Sequence, residues 1–308
     1  MQTSAPGKII LFGEHAVVYG FPAVAAPVSS LRTYATVRPN PPGQTGLRIV
    51  LPAVIETTAV DRRALDESLA LTVDKTLQTL SASEPDATIE ITSDIPIASG
   101  LGSGAAAAAA LARAIGIALD RALDNETLNA LVYEIERIHH GQPSGIDNTV
   151  IVYEQPIYFV RGQPIAPFHV GAPLHLIIAD TGQSASTKVT VSAVRALYES
   201  DPERILPILE SIGDIAQRSR GLAAAGDVQQ LGALMTANHA LLKALSVSSD
   251  ALDRLVEAAI RAGAYGAKLS GGGRGGNMIA LTDAERLDDV RAALLDAGAV
   301  RVVSTTVH

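Results

Sequence analysis

The sequence has no cysteine and no tryptophan, and aromatic residues make up only 4% of its 308 residues. Without cysteine the chain can form no disulfide, thiolate nucleophile or cysteine-ligated metal site, which fits a reducing compartment. The scarcity of aromatic side chains disfavours stacking on single-stranded nucleic acid. The net charge of −8 also opposes attraction to nucleic acid or an anionic membrane, so any phosphate site must be local.

Long hydrophobic runs are absent as well. The apolar run Ile9 to Phe12 is too short for a signal peptide, and the alanine-rich segment 104–119 carries Arg113 and is typical of a packed helix. We therefore expect a cytoplasmic protein with no nucleic-acid or membrane partner. The length fits two domains of roughly 150 residues each. A segment rich in glycine and proline, 161–174, predicts a boundary near residue 170, with domains at 1–170 and 171–308.

The periodicity of apolar residues predicts both strands and helices. Period-two alternation in 29–39 and 87–94 predicts half-buried strands. Helical spacing predicts helices over 65–80 and 125–139, and Asp124 is placed to cap the second of these. The second half is predicted to hold an apolar strand at 175–180, helices at 187–199, 203–225, 227–245 and 249–262, a strand, loop and strand within 264–282, and a final helix and strand.

One glycine-rich segment lies between a predicted strand and the alanine-rich helix. Glycines at 100, 102 and 104 let the backbone approach a ligand without interference from a Cβ atom. The N–H groups that begin the following helix form a typical anion site, and phosphate is the usual anion. The segment matches neither the P-loop nor the dinucleotide-binding pattern. A flexible turn against small alanines is an equally good reading of this segment alone.

A second glycine-rich segment, KLSGGGRGGN, spans residues 268–277. It holds more glycine than a hairpin turn requires, which indicates that backbone comes close to another group. The alternative is a loop without chemical consequence. Arg274 within it either pairs with phosphate or lies in solvent.

A third segment, ERIHHGQPSGIDN, places two carboxylates near the end of the predicted helix 125–139. Glu136 lies at the edge of the apolar stripe, and Asp147 follows a turn at 143–145. One carboxylate suits a metal and the other a proton acceptor. The plainer reading makes Glu136 a solvated helix residue and Asp147 a helix cap. Glu136 and His139 also have the spacing of a di-iron ligand pair, but the sequence holds one copy where such sites need two.

The glycine-rich segments, together with SAPGKIILFGEHAVVYG near the N-terminus, resemble the three motifs of the GHMP kinases, a family of small-molecule kinases. The motifs occur in the family's order and extend over most of the chain. GEHAVVYG, HGQPSGIDN and the segment 180–195 are most similar to members that phosphorylate mevalonate. The resemblance implies ATP-dependent phosphorylation of the 5-hydroxyl of mevalonate with Mg²⁺, and a homodimer. It also implies an α+β fold of two domains, the first similar to ribosomal protein S5 domain 2 and the second ferredoxin-like.

The resemblance also implies roles for individual residues. Asp147 matches the aspartate that acts on the substrate hydroxyl, as general base or by electrostatic orientation, and Lys8 matches the lysine beside it. Glu136 matches the magnesium ligand, with Ser103 as a second candidate. The implied ATP-binding residues are Pro96, Ile97, Ala98, Ser99, Gly100, Leu101, Gly102, Ser103, Gly104, Ala105, Gly271, Gly272 and Gly273. The implied substrate contacts are Glu14, His15, Ser144, Gly145 and Thr187.

The sequence departs from the family's motifs at two positions. Gly104 stands where the family commonly has a second serine, and Arg274 interrupts a run of glycines. Neither change removes the implied aspartate, lysine or glutamate. The alternatives are a kinase of another small alcohol, including phosphomevalonate, a related decarboxylase, and a sensor that binds ATP and ligand without turnover.

Overall fold

A computed structural model describes residues 1–51, 59–60, 67–96, 100–140, 143–164, 166–183 and 186–308, without the side chains of 59, 60, 139 and 140. Within these residues no helix combines the length and apolar character needed to cross a membrane. The chain divides into two compact units that are each discontinuous in sequence. Apart from undescribed residues, unit 1 comprises Met1–Gly7, Leu31–Ile97 and Leu101–Glu154, and unit 2 comprises Lys8–Ser30, Gly100 and Gln155–His308. The domain boundary predicted near residue 170 stays a prediction.

Strands and helices are mixed along the chain, which confirms the predicted α+β class. The strands are β1 (Gln2–Phe12), β2 (Ala23–Arg38), β3 (Leu47–Val50), β4 (Ala59–Val60), β5 (Ala87–Ser93), β6 (Ile157–Phe159), β7 (Ala166–Pro167), β8 (Leu174–Asp180), β9 (Gly266–Ser270), β10 (Asn277–Thr282) and β11 (Arg301–Val307). The helices are α1 (Glu67–Leu80), α2 (Ser103–Ala118), α3 (Asn125–His140), α4 (Ile146–Tyr153), α5 (Thr187–Ser200), α6 (Pro202–Ala225), α7 (Val228–Ala244), α8 (Asp250–Arg261) and α9 (Leu287–Asp296), with a 3₁₀ turn at Ala16–Tyr19.

Unit 1 packs helices against a small sheet. Residues 33–38 of β2 pair antiparallel with β5, β5 pairs parallel with β3, and β3 pairs antiparallel with β4. Helix α2 contacts α1, α3, α4 and β5, and its alanines are almost all buried. Because alanine side chains are small, α2 can lie close to all of these neighbours at once. This central position fixes the N-terminus of α2 relative to α3 and α4.

Unit 2 is built on a four-stranded antiparallel sheet in the order β11-β8-β10-β9. Helices α7, α8 and α9 contact this sheet, and α6 contacts α7. One close approach requires two glycines: a Cβ atom on Gly266 of β9 would lie 1.7 Å from the carbonyl oxygen of Gly232 on α7. In the same unit, residues 23–25 of β2 pair with β6, and β6 pairs with β7.

The observed elements confirm the helices and strands predicted from the apolar pattern, but the short strands β3, β4, β6 and β7 and helix α4 were not predicted. The amide of Thr127 donates a 2.7 Å hydrogen bond to Asp124, as expected of a helix cap. Helix α4 was not predicted: its sequence, IDNTVIVY, is apolar without an amphipathic period, because its residues are buried on nearly all sides. Gly141, expected to end the helix at 125–139, lies outside the described residues.

Candidate active site

The N-terminus of α2 in unit 1 has the features of an anion site. Its N-cap residue, Gly102, has a left-handed φ of 76° and offers no side chain to bond the first N–H groups, and the first turn holds no acidic residue. Sixteen aligned peptide units place positive potential there. Gly104, in the first turn, leaves its surroundings open: a Cβ atom there would meet only the Glu136 carboxylate, at 3.6 Å. Ile97, Ala98 and Ser99 of the predicted ATP loop lie outside the described residues.

Glu136 brings a carboxylate to this helix terminus. It lies on α3 with 9% of its surface exposed, and the Gly104 distance places one carboxylate oxygen beside the first turn of α2. Within the described ranges no three His, Asp or Glu side chains cluster as a metal cage. Mg²⁺ does not need one, since it is commonly held by one or two carboxylates together with phosphates and waters. An oxygen donor next to a helix N-terminus of positive potential, with Ser103 opening that helix, therefore fits Mg²⁺ held together with phosphate oxygens.

Asp147 lies in the first turn of α4, directly after the N-cap Gly145, whose φ is 91°. Its neighbours Ile146 and Asn148 are buried while Asp147 is partly exposed, so its carboxylate is on the accessible side of the helix. The side chain of Asn148 donates a 2.7 Å hydrogen bond to that of Asn129, which ties α4 to α3. Unit 1 thus holds Glu136, Asp147 and the α2 terminus on three helices that contact one another.

Unit 2 contains a buried ion pair between Glu14 and Lys268. The Lys268 ammonium bonds the Glu14 carboxylate and also donates to the carbonyl of Leu269 at 2.6 Å. The two side chains are 1% and 0% exposed. Burial raises the pKa of Glu14 and lowers that of Lys268, against the mutual attraction that favours both charges. Sequence reasoning missed Lys268, although a lysine at an inward position of an apolar strand was a usable signal.

His15 follows Glu14 with an unusual backbone and a restricted imidazole. Its φ is 61°, and Nε2 lies 3.0 Å from the carbonyl oxygen of Gly272. Because a carbonyl only accepts, Nε2 must carry the hydrogen. Burial is the main cause that lowers the pKa of His15 to about 4, so the ring is neutral at pH 7. His15 therefore offers a ligand no positive charge.

The second glycine loop joins these residues to α5. A Cβ atom on Gly272 would lie 3.0 Å from the hydroxyl oxygen of Thr187, the first residue of α5. Gly271 and Gly273 have φ values of 89° and 79°, and the amide of Gly276 donates to Gln183 at 2.8 Å. The loop is therefore held by backbone contacts in a shape that glycine favours.

The predicted site residues that the structure describes fall into the two units, while their roles stay predictions. Unit 1 holds Pro96, Leu101, Gly102, Ser103, Gly104, Ala105, Glu136, Ser144, Gly145 and Asp147. Unit 2 holds Lys8, Glu14, His15, Gly100, Thr187, Gly271, Gly272 and Gly273. Lys8, in β1, is 6% exposed.

Comparison with known proteins identifies the family. Residues 68–155 match the model of the GHMP kinases N terminal domain and residues 219–300 that of the GHMP kinases C terminal domain. A mevalonate kinase of Thermococcus onnurineus is 38% identical over 98% of this chain and 94% of its own length. The chain belongs to the GHMP kinase family. A Pyrococcus abyssi mevalonate kinase, 37% identical with the same coverage, is similar to this GHMP kinase to nearly the same degree.

Solved structures support the same assignment. The L. major mevalonate kinase in complex with R-mevalonate has a TM-score of 0.86 and 29% identity, covering all of this GHMP kinase chain and 96% of its own. The Methanococcus jannaschii mevalonate kinase also has a TM-score of 0.86, at 24% identity, which shows the fold. The two-domain fold of the family, predicted from the sequence motifs, is therefore confirmed.

Proposed function

We propose that this chain is an ATP-dependent kinase that phosphorylates the 5-hydroxyl of mevalonate. The observation that carries the proposal is similarity to mevalonate kinases over nearly the whole chain, at up to 38% identity among the relatives above. The geometry of unit 1 supports it, because an uncapped helix terminus beside a carboxylate is suited to a nucleotide triphosphate and its metal. Phosphoryl transfer needs mainly such positioning and charge neutralisation.

The N-terminal turn of α2 is assigned to the phosphates of ATP through its backbone N–H groups. Glu136 and Ser103 are the residues that would hold Mg²⁺, which supplies neutralising charge to the phosphate oxygens when bound. Pro96, Gly100 and Gly271 to Gly273 complete the assigned nucleotide contacts. Gly104 lacks the hydroxyl common in the family; Ser103, a water or Glu136 alone would then complete the ligands of the ion, which readily keeps several waters.

Asp147 is assigned to the hydroxyl that accepts the phosphoryl group. Its carboxylate either takes the proton or orients the hydroxyl, and Lys8 is assigned to stabilise the developing alkoxide. Glu14, His15, Ser144, Gly145 and Thr187 are assigned to the rest of the substrate. A homodimer, which light scattering would test, and a cytoplasmic location complete the proposal.

Replacing Asp147 by Asn tests the proposal directly. We expect Asp147→Asn to keep the fold, since Asn is nearly isosteric, and to lower kcat by at least about 100-fold, the usual scale for a lost general base. The matched control is Asp120→Asn, the same change at an exposed residue after α2 whose φ of 54° Asn tolerates. Retention of full turnover by Asp147→Asn would remove Asp147 from this role.

Substrate choice is measured by coupled ADP release with Mg-ATP and mevalonate, phosphomevalonate, homoserine or galactose, with product identified by mass. Product from mevalonate alone is the expected result. Turnover of a different alcohol would assign the kinase to that substrate, and carbon dioxide release would indicate the decarboxylase reaction. ATP binding without any product would favour a sensor.

A further inference from the structure

Arg274 occupies a backbone position that suits glycine better than arginine. Its φ is 60°, in the left-handed region, and glycines at 271–273 and 275–276 surround it. A residue with a Cβ atom is strained in this conformation, whereas glycine is not. A strained position of this kind marks the arginine side chain as a candidate for a specific role.

The side chain of Arg274 is anchored through its Nε atom. The backbone amide of Arg274 donates to the carbonyl of Val247 at 2.7 Å, and Nε donates to the carbonyl of Ser246 at 3.2 Å. These two bonds fix the direction of the guanidinium and use one of its five N–H groups. Arg274 is exposed, so this anchored cation lies where a ligand can reach it.

Arg274 lies close in the chain to residues of unit 2 that are assigned to the substrate. It follows Gly272 by two residues; the Gly272 carbonyl accepts a hydrogen bond from His15, and the space beside Gly272 is bounded by Thr187. The positive charge of Arg274 is also close enough to His15 to contribute to the lowered pKa of that imidazole, after burial and together with Lys268. Arg274 therefore adds charge to this part of the molecule.

The assigned substrate contacts in unit 2 need such a cation. His15 is neutral, and the buried charges of Lys268 and Glu14 compensate each other, so neither residue offers an anion a net positive charge. Lys8 is assigned to the reacting hydroxyl at the other end of the substrate. A carboxylate bound here without a positive partner would be costly, and arginine binds carboxylates through two parallel hydrogen bonds.

We propose that Arg274 is a specificity-determining residue that binds the carboxylate of the alcohol substrate through its two terminal NH₂ groups. This inference rests on the proposed function, since it assumes an acidic acceptor. It gives the arginine that interrupts the glycine run of the third motif a function, namely affinity for the substrate carboxylate. It also predicts discrimination between the acid and neutral analogues of the same shape.

Three substitutions separate charge from anchoring. Arg274→Gln removes the charge but keeps an amide that can donate to Ser246, Arg274→Lys keeps the charge, and Arg274→Gly restores the family's residue and relieves the strained φ. Arg261→Gln, at an exposed arginine at the end of α8, is the matched control. Each variant is assayed for KM and kcat with mevalonate, with its neutral methyl ester and with ATP, and for mevalonate affinity by calorimetry without nucleotide.

We expect Arg274→Gln and Arg274→Gly to raise the KM and Kd for mevalonate by about 10- to 100-fold, the scale of a lost charge-assisted hydrogen bond. The kcat, the KM for ATP and the KM for the methyl ester should stay within about twofold of wild type, and Arg274→Lys should recover part of the affinity. Three outcomes would overturn the inference. The variants could raise KM equally for mevalonate and its methyl ester, or Arg274→Lys could lose as much mevalonate affinity as Arg274→Gln. The third is a raised KM for ATP with no change in the KM for mevalonate. If wild type does not phosphorylate mevalonate, the proposed function itself fails; if it does and Arg274→Gln is unchanged, only this inference fails.

Discussion

Acidification should destabilise the protein through His15 in a way that one substitution can isolate. The pKa of His15 is lowered to about 4 in the folded chain, against roughly 6.5 in an unfolded one. Between these values the unfolded chain binds the proton and the folded chain does not, so stability contributed by this group is present above pH 6.5 and is lost as the pH falls towards 4. The linkage relation gives a loss of about 2 kcal/mol at pH 5 and about 3 kcal/mol below pH 4.

The matched variant is His15→Asn. Asn tolerates a left-handed φ, and its side-chain amide can donate to the Gly272 carbonyl in place of Nε2, but it does not titrate. Urea unfolding at pH 8, 6 and 5 should show wild type losing about 2 kcal/mol more than the variant over this range. The corresponding difference in Tm is about 4 to 8 °C for a unit of this size. If both proteins lost the same free energy of unfolding over this pH range, His15 would bind its proton equally well in the folded and unfolded chains. Burial would then not lower its pKa.

Two further predictions concern neighbouring charges and the helix terminus. Lys268→Met should lower the free energy of unfolding by about 3 to 5 kcal/mol because it leaves the Glu14 carboxylate buried without its partner. Adding Glu14→Gln should recover most of this loss. Urea unfolding that shows equal stability for the single and double variants would contradict this. Gly104→Ser should raise stability by about 0.5 kcal/mol through helix propensity and keep turnover, because its Cβ fits 3.6 Å from Glu136. A tenfold fall in kcat would show that the added hydroxyl disturbs the site.

Many helices can be predicted from the sequence because their N-caps and apolar periods involve only residues close together in the chain. Helices α6, α7 and α8 have the N-cap residues Asp201, Asp227 and Ser249, and each of these side chains accepts a hydrogen bond from an amide three residues later. Together with the apolar period, such caps define a helix without reference to the rest of the chain. Helix α4 lacks both signals, since its N-cap is Gly145 and its sides are buried, so tertiary packing alone explains it.

The residues of the candidate site also differ in whether the sequence alone could identify them. The glycine segments and the carboxylates at 136 and 147 were found because motif spacing is visible along the sequence. Lys268 was not, because its partner Glu14 lies 254 positions away. The anchoring of Arg274 to Ser246 was equally hidden, since a bond to a backbone carbonyl leaves no trace in the identity of the residue that supplies it.

The discontinuity of unit 2 has a consequence for biosynthesis. Residues 8–30 belong to this unit, yet its longest segment starts at Gln155, 125 positions after residue 30. At a synthesis rate of about 5 to 20 residues per second, roughly 6 to 25 s pass between the synthesis of residue 30 and that of Gln155. Unit 1, by contrast, is complete in sequence by Glu154. The apolar Ile9, Leu11 and Phe12, almost fully buried in the finished protein, are thus synthesised well before most of their unit.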